Sequence, residues 1–327
     1  MSDLRRSDLL RGAAAAGVAL AAGHALPARA AEPVKLSYGD LYSGVTGIVS
    51  SNITANRFDL KHGIDMANAL PYTAVSTYYN DFAAGTFDVA MGSWDFFIDM
   101  YNKGVPIKLI CTITTADMIN IIATPQIKSV NDLAGKGVSA VIGSGSFEMS
   151  RAVLRATAKL DLDHDVQMQN APNPAGCIAL LQAGSTVAAL TWEPVISDAM
   201  AKEPALRTIF NLGAIYRRAT GTALPYFCVA ARTDALKKDP SIAGKIAATF
   251  GDTIAYINHE TSAAFTTAAA KTGLPSTIMH TGFDAGRLTF SAYPMQTPAG
   301  RKVVETAFAY MHARGMFDKP LSPDFFA

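Results

Sequence analysis

Apolar positions along the chain follow two alternating spacings, and this alternation predicts an α/β fold. Short apolar runs bounded by Gly, Asp, Asn or Ser indicate buried strands, and longer segments with helical spacing lie between them. The predicted strands are 35–39, 64–70, 87–91, 108–114, 119–124, 138–142, 166–169, 188–191 and 225–231. The predicted helices are 45–56, 76–84, 95–102, 147–160, 175–181, 195–202, 241–250, 252–272, 284–290 and 298–314. Strands that alternate with helices favour mostly parallel sheets in three layers.

One part of this pattern occurs twice. Residues 84–94 and 183–192 each read as a helix end, a glycine turn, a short apolar strand and a tryptophan. Trp94 and Trp192 are the only tryptophans in the chain. Ligands of parallel α/β sheets bind outside the carboxyl ends of the strands. The repeat therefore predicts two lobes that face one cleft, although core packing is the alternative for each indole.

A second candidate feature lies in the stretch 129–146. Glycines at 135 and 137 form a tight turn, a short strand follows, and Gly143-Ser144-Gly145-Ser146 leads into the helix predicted from Phe147. The first N–H groups of a helix have no partner within the helix, so a helix start suits a small anionic or polar ligand. A plain strand-to-helix turn is the alternative for these glycines.

The first thirty residues have the pattern of an export signal. Arg5-Arg6 precede an alanine-rich apolar run at 12–22, and Ala28-Arg29-Ala30 fits a cleavage site. The paired arginines favour twin-arginine export. Asp8 departs from that motif, so ordinary secretion remains an alternative. We expect cleavage near Ala30 and a periplasmic protein.

Composition narrows the class of the protein further. Hydrophobic residues make up 50% of the chain and charged residues 17%, which is ample for a folded core. The net charge is +1 with no basic run, so nothing points to nucleic acid. The three cysteines are expected to be buried apolar residues rather than a disulfide pair. No Cys or His pair has the spacing of a metal site.

Several motifs together resemble one known family. The segments that carry the likeness are 84–90 (AGTFDVA), 129–136 (SVNDLAGK), 143–146 (GSGS) and 192–194 (WEP). They resemble ABC-transporter substrate-binding proteins of the nitrate/sulfonate/taurine type, related to the thiamine-pyrimidine-precursor binding group. The order and spacing agree from about 34 to 250. The chain departs at Val187, where the family usually has Asp, and less so at Phe87 and Thr186.

The resemblance implies a type II periplasmic-binding-protein fold with two three-layer α/β lobes and a two-segment hinge. Lobe 1 would comprise 34–121 plus 226–323 and lobe 2 would comprise 122–225, with crossings near 119–124 and 225–231. Such lobes close on a ligand by rotation about the hinge. A membrane permease would then recognise the closed form, and a monomer is expected. The helical end of the chain should pack back on lobe 1.

Site residues follow from the strand ends, the helix starts and the resemblance. In lobe 1 they are Tyr42, Ser43, Ser93, Trp94, Thr114, Thr115 and Tyr226. In lobe 2 they are Ser144, Ser146, Phe147, Trp192, Glu193 and Arg218. Hydroxyls and amides would donate to an oxyanion, aromatic rings would form an apolar wall, and Glu193 would accept from an amine.

The expected function is capture of a small organic ligand for an ABC permease. An amino-sulfonate or amino-carboxylate is favoured, and an aromatic heterocycle is the second ligand class. No cofactor, metal or catalytic residue is expected. The alternatives are an enzyme on the same scaffold, similar to pyrimidine-precursor synthases or menaquinone-pathway proteins, and a sensory binding protein that reports to a receptor. The three scattered cysteines and the export signal argue against the synthase type.

Overall fold

Two five-stranded sheets form the framework of the computed structural model, which describes residues 32–41, 44–67 and 69–327. The strands are β1 (Val34–Lys35), β2 (Tyr38–Leu41), β3 (Ile64–Asp65), β4 (Ala69–Tyr72), β5 (Val89–Ser93), β6 (Ile107–Thr112), β7 (Ile119–Ala123), β8 (Gly137–Ala140), β9 (Gln167–Asn170), β10 (Ala188–Trp192), β11 (Arg207–Asn211) and β12 (Phe227–Arg232). The short strands β1 and β3 pair with each other outside the two large sheets.

Helices lie between and around these strands. They are α1 (Val45–Asn56), α2 (Phe58–Lys61), α3 (Val75–Ala84), α4 (Trp94–Asn102), α5 (Gly145–Ala158), α6 (Pro174–Gln182), α7 (Val195–Lys202), α8 (Leu212–Thr220), α9 (Thr233–Leu236), α10 (Ile242–His259), α11 (Thr261–Thr272), α12 (Ser276–Asp284) and α13 (Pro298–His312). Short 3₁₀ turns lie at Ala116–Met118, Val130–Leu133 and Pro323–Phe325. In the described part of the chain, no helix combines the length and the apolarity needed to cross a membrane.

The two sheets have the same strand order. The first runs β4-β2-β5-β12-β6 and the second runs β9-β8-β10-β7-β11. In each, one strand runs antiparallel to both of its neighbours: β12 in the first sheet and β7 in the second. The strands β5 and β10 are the centres of their sheets, so the repeated sequence pattern corresponds to equivalent strands. The prediction of mostly parallel α/β sheets is confirmed.

The sequence pattern failed at several places, of which three lie in the second half of the chain. Residues 216–221 were expected to form a loop, but they belong largely to α8, whose start is capped because Asn211 accepts a hydrogen bond from the N–H of Ala214. The edge strand β11, which directly precedes this cap, was not predicted. The helix expected at 284–290 is absent: α12 ends at Asp284, and Gly286 lies in the left-handed region with φ 66°.

The helical end of the chain packs in two directions. Helices α10 and α11 pack on α1, and α10 also contacts β6, as expected for a return to the first sheet. Helix α12 contacts α7, and α13 contacts α5, both of which belong to the second sheet's region. Residues 33–327 form one compact unit. The lobe boundaries therefore remain a prediction, and the export signal at 1–30 lies outside the described residues.

The core of the first sheet depends on a glycine in β2. A Cβ atom on Gly39 would lie 2.4 Å from Phe87 and 2.6 Å from Tyr78. Gly39→Ala should therefore lower the free energy of unfolding by about 1–3 kcal/mol through overpacking. Urea denaturation measures this, with Gly244→Ala in α10 as the control. No atom lies within 4 Å of the Cβ at that position, so equal destabilisation by both changes would contradict this packing account.

Candidate functional site

The carboxyl ends of the two central strands meet at what we call the sheet junction, formed by Ser93, Asp95, 144–146, Trp192 and 226–227. Ser93 ends β5 and Trp192 ends β10. Phe227 is the register partner of Ser93, and its ring centroid lies 6.5 Å from that of Trp192 in an edge-on contact. The two sheets are thus in direct contact where ligands bind in folds of this type.

One pocket of the junction lies beside Trp192. Its lining residues are Leu41, Gly44, Val45, Thr46, Thr73, Val75, Asn173, Pro174, Trp192 and Phe227. The cavity between them has a volume of about 10 Å³, which leaves room for about one water molecule. The Asn173 side chain also donates to the carbonyl of Thr73 at 3.3 Å, which joins α6 to the segment before α3. The pocket is therefore in a closed arrangement.

Three helices begin at this pocket. Helices α1 and α3 start at Val45 and Val75, and neither has a side chain that caps its first N–H groups. Helix α6 is capped, because Asn173 accepts from the N–H of Gly176 at 2.9 Å. Uncapped helix starts offer backbone donors and a partial positive charge, which suit an acid group. The rings of Trp192 and Phe227 add an apolar wall.

The helix start predicted at 143–146 is present as the beginning of α5. Ser144 accepts from the N–H of Phe147, donates to the carbonyl of Val141 at 2.7 Å and lies 2.8 Å from the Ser146 hydroxyl. Ser146 and Phe147 are buried, and the Arg151 guanidinium lies over the Phe147 ring at 5.8 Å. The hydroxyl groups at this helix start already form hydrogen bonds within the protein. Contact with a ligand at this position therefore remains a prediction.

Gly145 brings α5 onto the first sheet. A Cβ atom there would lie 2.3 Å from both Ser93 Oγ and Asp95 Oδ1, so these oxygens lie against the glycine. Neither oxygen has a well-aligned hydrogen-bond partner among the described residues. Burial raises the pKa of Asp95 to about 7, while the Ser93 hydroxyl and the helix N–H groups oppose that rise. Asp95 was not identified from the sequence, because an aspartate in the first turn of a helix is common and gives no sign of a binding site.

Trp94 requires a correction. Its indole Nε1 donates to the carbonyl of Pro225 at 2.9 Å, and its ring packs at 5.7 Å from that of Phe317. It lies in the core and lines neither the Trp192 pocket nor the contact at Gly145. The repeat is offset by one residue, so Ser93, rather than Trp94, occupies the position equivalent to Trp192. We therefore leave Trp94 out of the proposed ligand site.

Glu193 requires a second correction. Its carboxylate is fully buried and pairs with the guanidinium of Arg287 at 2.6 Å. It also accepts from the N–H and the hydroxyl of Ser197 at 3.1 and 3.0 Å. Because these partners use the carboxylate, it joins β10 to the segment after α12 and is not free for an amine ligand. Nothing in the sequence around Glu193 indicates Arg287 as its partner.

Four other predicted site residues, Thr114, Thr115, Arg218 and Tyr226, do not line the pocket beside Trp192. Thr114 Oγ1 accepts from the N–H of Phe227 at 3.0 Å, and Thr115 Oγ1 donates to Asp117 at 2.6 Å. Arg218 is exposed on α8 and does not line the pocket beside Trp192. Burial and the nearby Tyr79 raise the pKa of Tyr226, and the hydroxyl of Ser146 opposes that shift.

Tyr42 and Ser43 lie outside the described residues, although their chain neighbours Leu41 and Gly44 line the pocket. The sequence reasoning also missed Thr73, Asn173 and Phe227. Asn173 was detectable as a helix cap before Pro174, a common pairing at helix starts. The three cysteines are buried and unpaired, as expected. Among the described residues no cluster of three or more potential metal ligands occurs.

Comparison with known proteins identifies the fold. No family model matches the chain, and no curated protein matches it. The alkanesulfonate-binding protein SsuA of Xanthomonas axonopodis pv. citri, solved with MOPS, is similar over 89% of this chain and 96% of its own, with 17% identity and a TM-score of 0.72. The aliphatic sulphonate binding protein SsuA of Escherichia coli matches 90% and 91%, with 17% identity and a TM-score of 0.70.

The nitrate-binding protein NrtA of Synechocystis PCC 6803 is also similar, over 76% of this chain and 69% of its own, with 14% identity and a TM-score of 0.62. The chain therefore has the periplasmic-binding-protein fold. The structural neighbours include nitrate- and sulfonate-binding proteins, which agrees with the resemblance in the motifs.

The pair of Glu193 and Arg287 should contribute strongly to stability. Arg287→Ala leaves a fully buried carboxylate without its cation, which should lower the free energy of unfolding by about 3–5 kcal/mol. Arg155→Ala removes an ion pair whose arginine side chain is 52% exposed, and should cost at most about 1 kcal/mol. Urea denaturation of both variants tests this. A similar small loss in both would show that Glu193 does not depend on Arg287.

Proposed function

We propose that the protein is an exported solute-binding protein that holds a small organic acid between its two sheets. The observation that carries the proposal is the pocket where the uncapped starts of α1 and α3 meet the rings of Trp192 and Phe227. Backbone donors and an apolar wall together recognise an acid group on a short organic body. The pocket lies at the carboxyl ends of the sheets, where this fold places ligands.

The proposed ligand class differs from the one expected from the sequence, because an amino group on the ligand is no longer required. The preference for an amino-sulfonate or amino-carboxylate depended on Glu193 as the acceptor for the ammonium group. Arg287 already binds that carboxylate, so Glu193 is not available for an ammonium group. The helix starts and the aromatic wall still suit the acid group of such a ligand. Sulfonates and short carboxylates, with or without an amino group, are therefore the first compounds to test.

The proposal includes a cycle of opening and closing. The Trp192 pocket has about 10 Å³ of free space, so a ligand must enter while the sheets are apart. Closure would then shield it. The hinge was expected near 119–124 and 225–231; because those residues lie largely in β7 and β12, we propose that the connecting segments 113–118 and 212–226 act as the hinge. A ligand stabilises the closed form by its preference for that form. We further propose delivery of the ligand to an ABC permease by a periplasmic monomer.

A thermal-shift screen tests the binding function. Alkanesulfonates, taurine, short carboxylates, nitrate and pyrimidines form the panel, and calorimetry follows each positive result. At a hundredfold excess over Kd, a ligand adds about 2.7 kcal/mol of stability, so a true ligand should raise Tm visibly. Trp192→Ala should weaken binding because it removes one wall of the pocket. Conversion of a compound into product would favour the enzyme alternative and contradict the proposal.

Gly145→Ala tests whether closure is needed for binding. In the closed arrangement the added Cβ would lie 2.3 Å from Ser93 Oγ and Asp95 Oδ1, whereas open sheets would accommodate it. Overpacking of about 1–3 kcal/mol corresponds to a loss of affinity of roughly five- to 150-fold. Calorimetry with a compound from the screen measures this loss, and Gly251→Ala, which meets no atom within 4 Å, serves as the control. Unchanged affinity in Gly145→Ala would exclude closure at this contact.

A further inference from the structure

A buried carboxyl group lies at the contact between α4 and α5 without a charged partner. Asp95 is 2% exposed, and its Oδ1 lies against Gly145 of the opposite sheet's region. Neither this oxygen nor the adjacent Ser93 Oγ has a well-aligned hydrogen-bond partner among the described residues, although the Ser93 hydroxyl and the first N–H groups of α4 lie near the carboxyl group. An ionised carboxylate in such a place is costly, because burial removes its water and nothing cationic replaces it.

The groups that face Asp95 do not supply a cation. They are Glu148 of α5, Tyr79 of α3, Tyr226 and Cys228 at β12, Asp99 and Lys103 further along α4, and Asp318 and Lys319 across the shared cavity. Lys319 donates to the carbonyl of Asn102 at 3.4 Å. Lys103 pairs with Asp99 at 2.6 Å. Glu148, a second acid, pairs with Arg151. Burial raises the pKa of Tyr79, Tyr226 and Cys228, so these three groups stay neutral near pH 7.

We propose that Asp95 is a proton-binding site whose carboxyl group takes up one proton when the two sheets close on each other. This inference rests on the opening and closing of the proposed function. In the open form water would surround the carboxylate, which would stay ionised; in the closed form Gly145 covers it. A cavity of about 430 Å³ between α4, α5 and residues 316–319 is also lined by Asp95 and gives a proton a route from solvent.

The direction of the pH effect follows from the two states of Asp95. Its pKa is about 7 in the closed form, against an ordinary value of 3.8 when the group is exposed. The neutral form therefore stabilises closure fully below pH 4, and this contribution is lost as the pH rises through 7. Between pH 5.5 and 8.5 the closed-to-open ratio should fall about thirtyfold. Acid should thus favour capture, and a more alkaline medium should favour release.

Distance measurements between spin labels test this without any added compound. Ala55→Cys in α1 and Ala156→Cys in α5 place labels on exposed positions of the two regions, and the native cysteines are buried. The short-distance population of the labelled protein should fall between pH 5.5 and 8.5. With Asp95→Asn the population should not depend on pH. Asp99→Asn, one turn further along α4, should behave like the unchanged protein.

An equal pH response with and without Asp95→Asn would overturn the proposal, as would a single distance at every pH. Asp95→Ser, which is also uncharged, gives the same test if the asparagine variant does not fold. The result is independent of the ligand screen. A pH response that Asp95→Asn abolishes, together with a screen without ligands, would support the proton site and contradict the proposed binding function.

Discussion

A buried carboxyl group needs a cation, a set of donors or a proton. Two such groups lie in or next to the sheet junction, and their surroundings meet this need in different ways. Glu193 receives the guanidinium of Arg287 and two bonds from Ser197, so it acts as a fixed connection between β10 and the segment after α12. Asp95 receives no cation and lies against the backbone of Gly145. The first arrangement holds two parts of the molecule together by a buried ion pair. The second makes the closed contact dependent on protonation.

Much of the fold could be predicted from apolar spacing, because the buried strands and the amphipathic helices dominate the sequence. Helices α1 and α7 have the predicted bounds, and the repeated pattern identified β5 and β10 as equivalent strands. The predictions were wrong where local interactions, rather than the apolar pattern, determine the secondary structure. Residues 207–220 contain an exposed edge strand and a helix that Asn211 caps, and neither has the continuous apolar pattern that marks a core element.

The site was less predictable, because its geometry depends on long-range contacts. The end of β10 lies at the sheet junction, where a ligand residue was predicted, but a shift of one residue in the repeat places Trp94 in the core. The partner of Glu193 lies 94 residues further along the chain, so no local motif could reveal that the carboxylate was occupied. The same holds for Asp95, which is unusual only because Gly145 from a distant strand-to-helix turn covers it.

The central claim is that two sheet regions bind a small organic acid and leave it unchanged. Native mass spectrometry of the mature protein, incubated with single members of the sulfonate and carboxylate panel, tests this most directly. The account predicts a one-to-one complex with at least one compound, released on denaturation with its mass unaltered, and a weaker complex for Trp192→Ala. Absence of any complex across the panel, or release of a chemically altered compound, would contradict it.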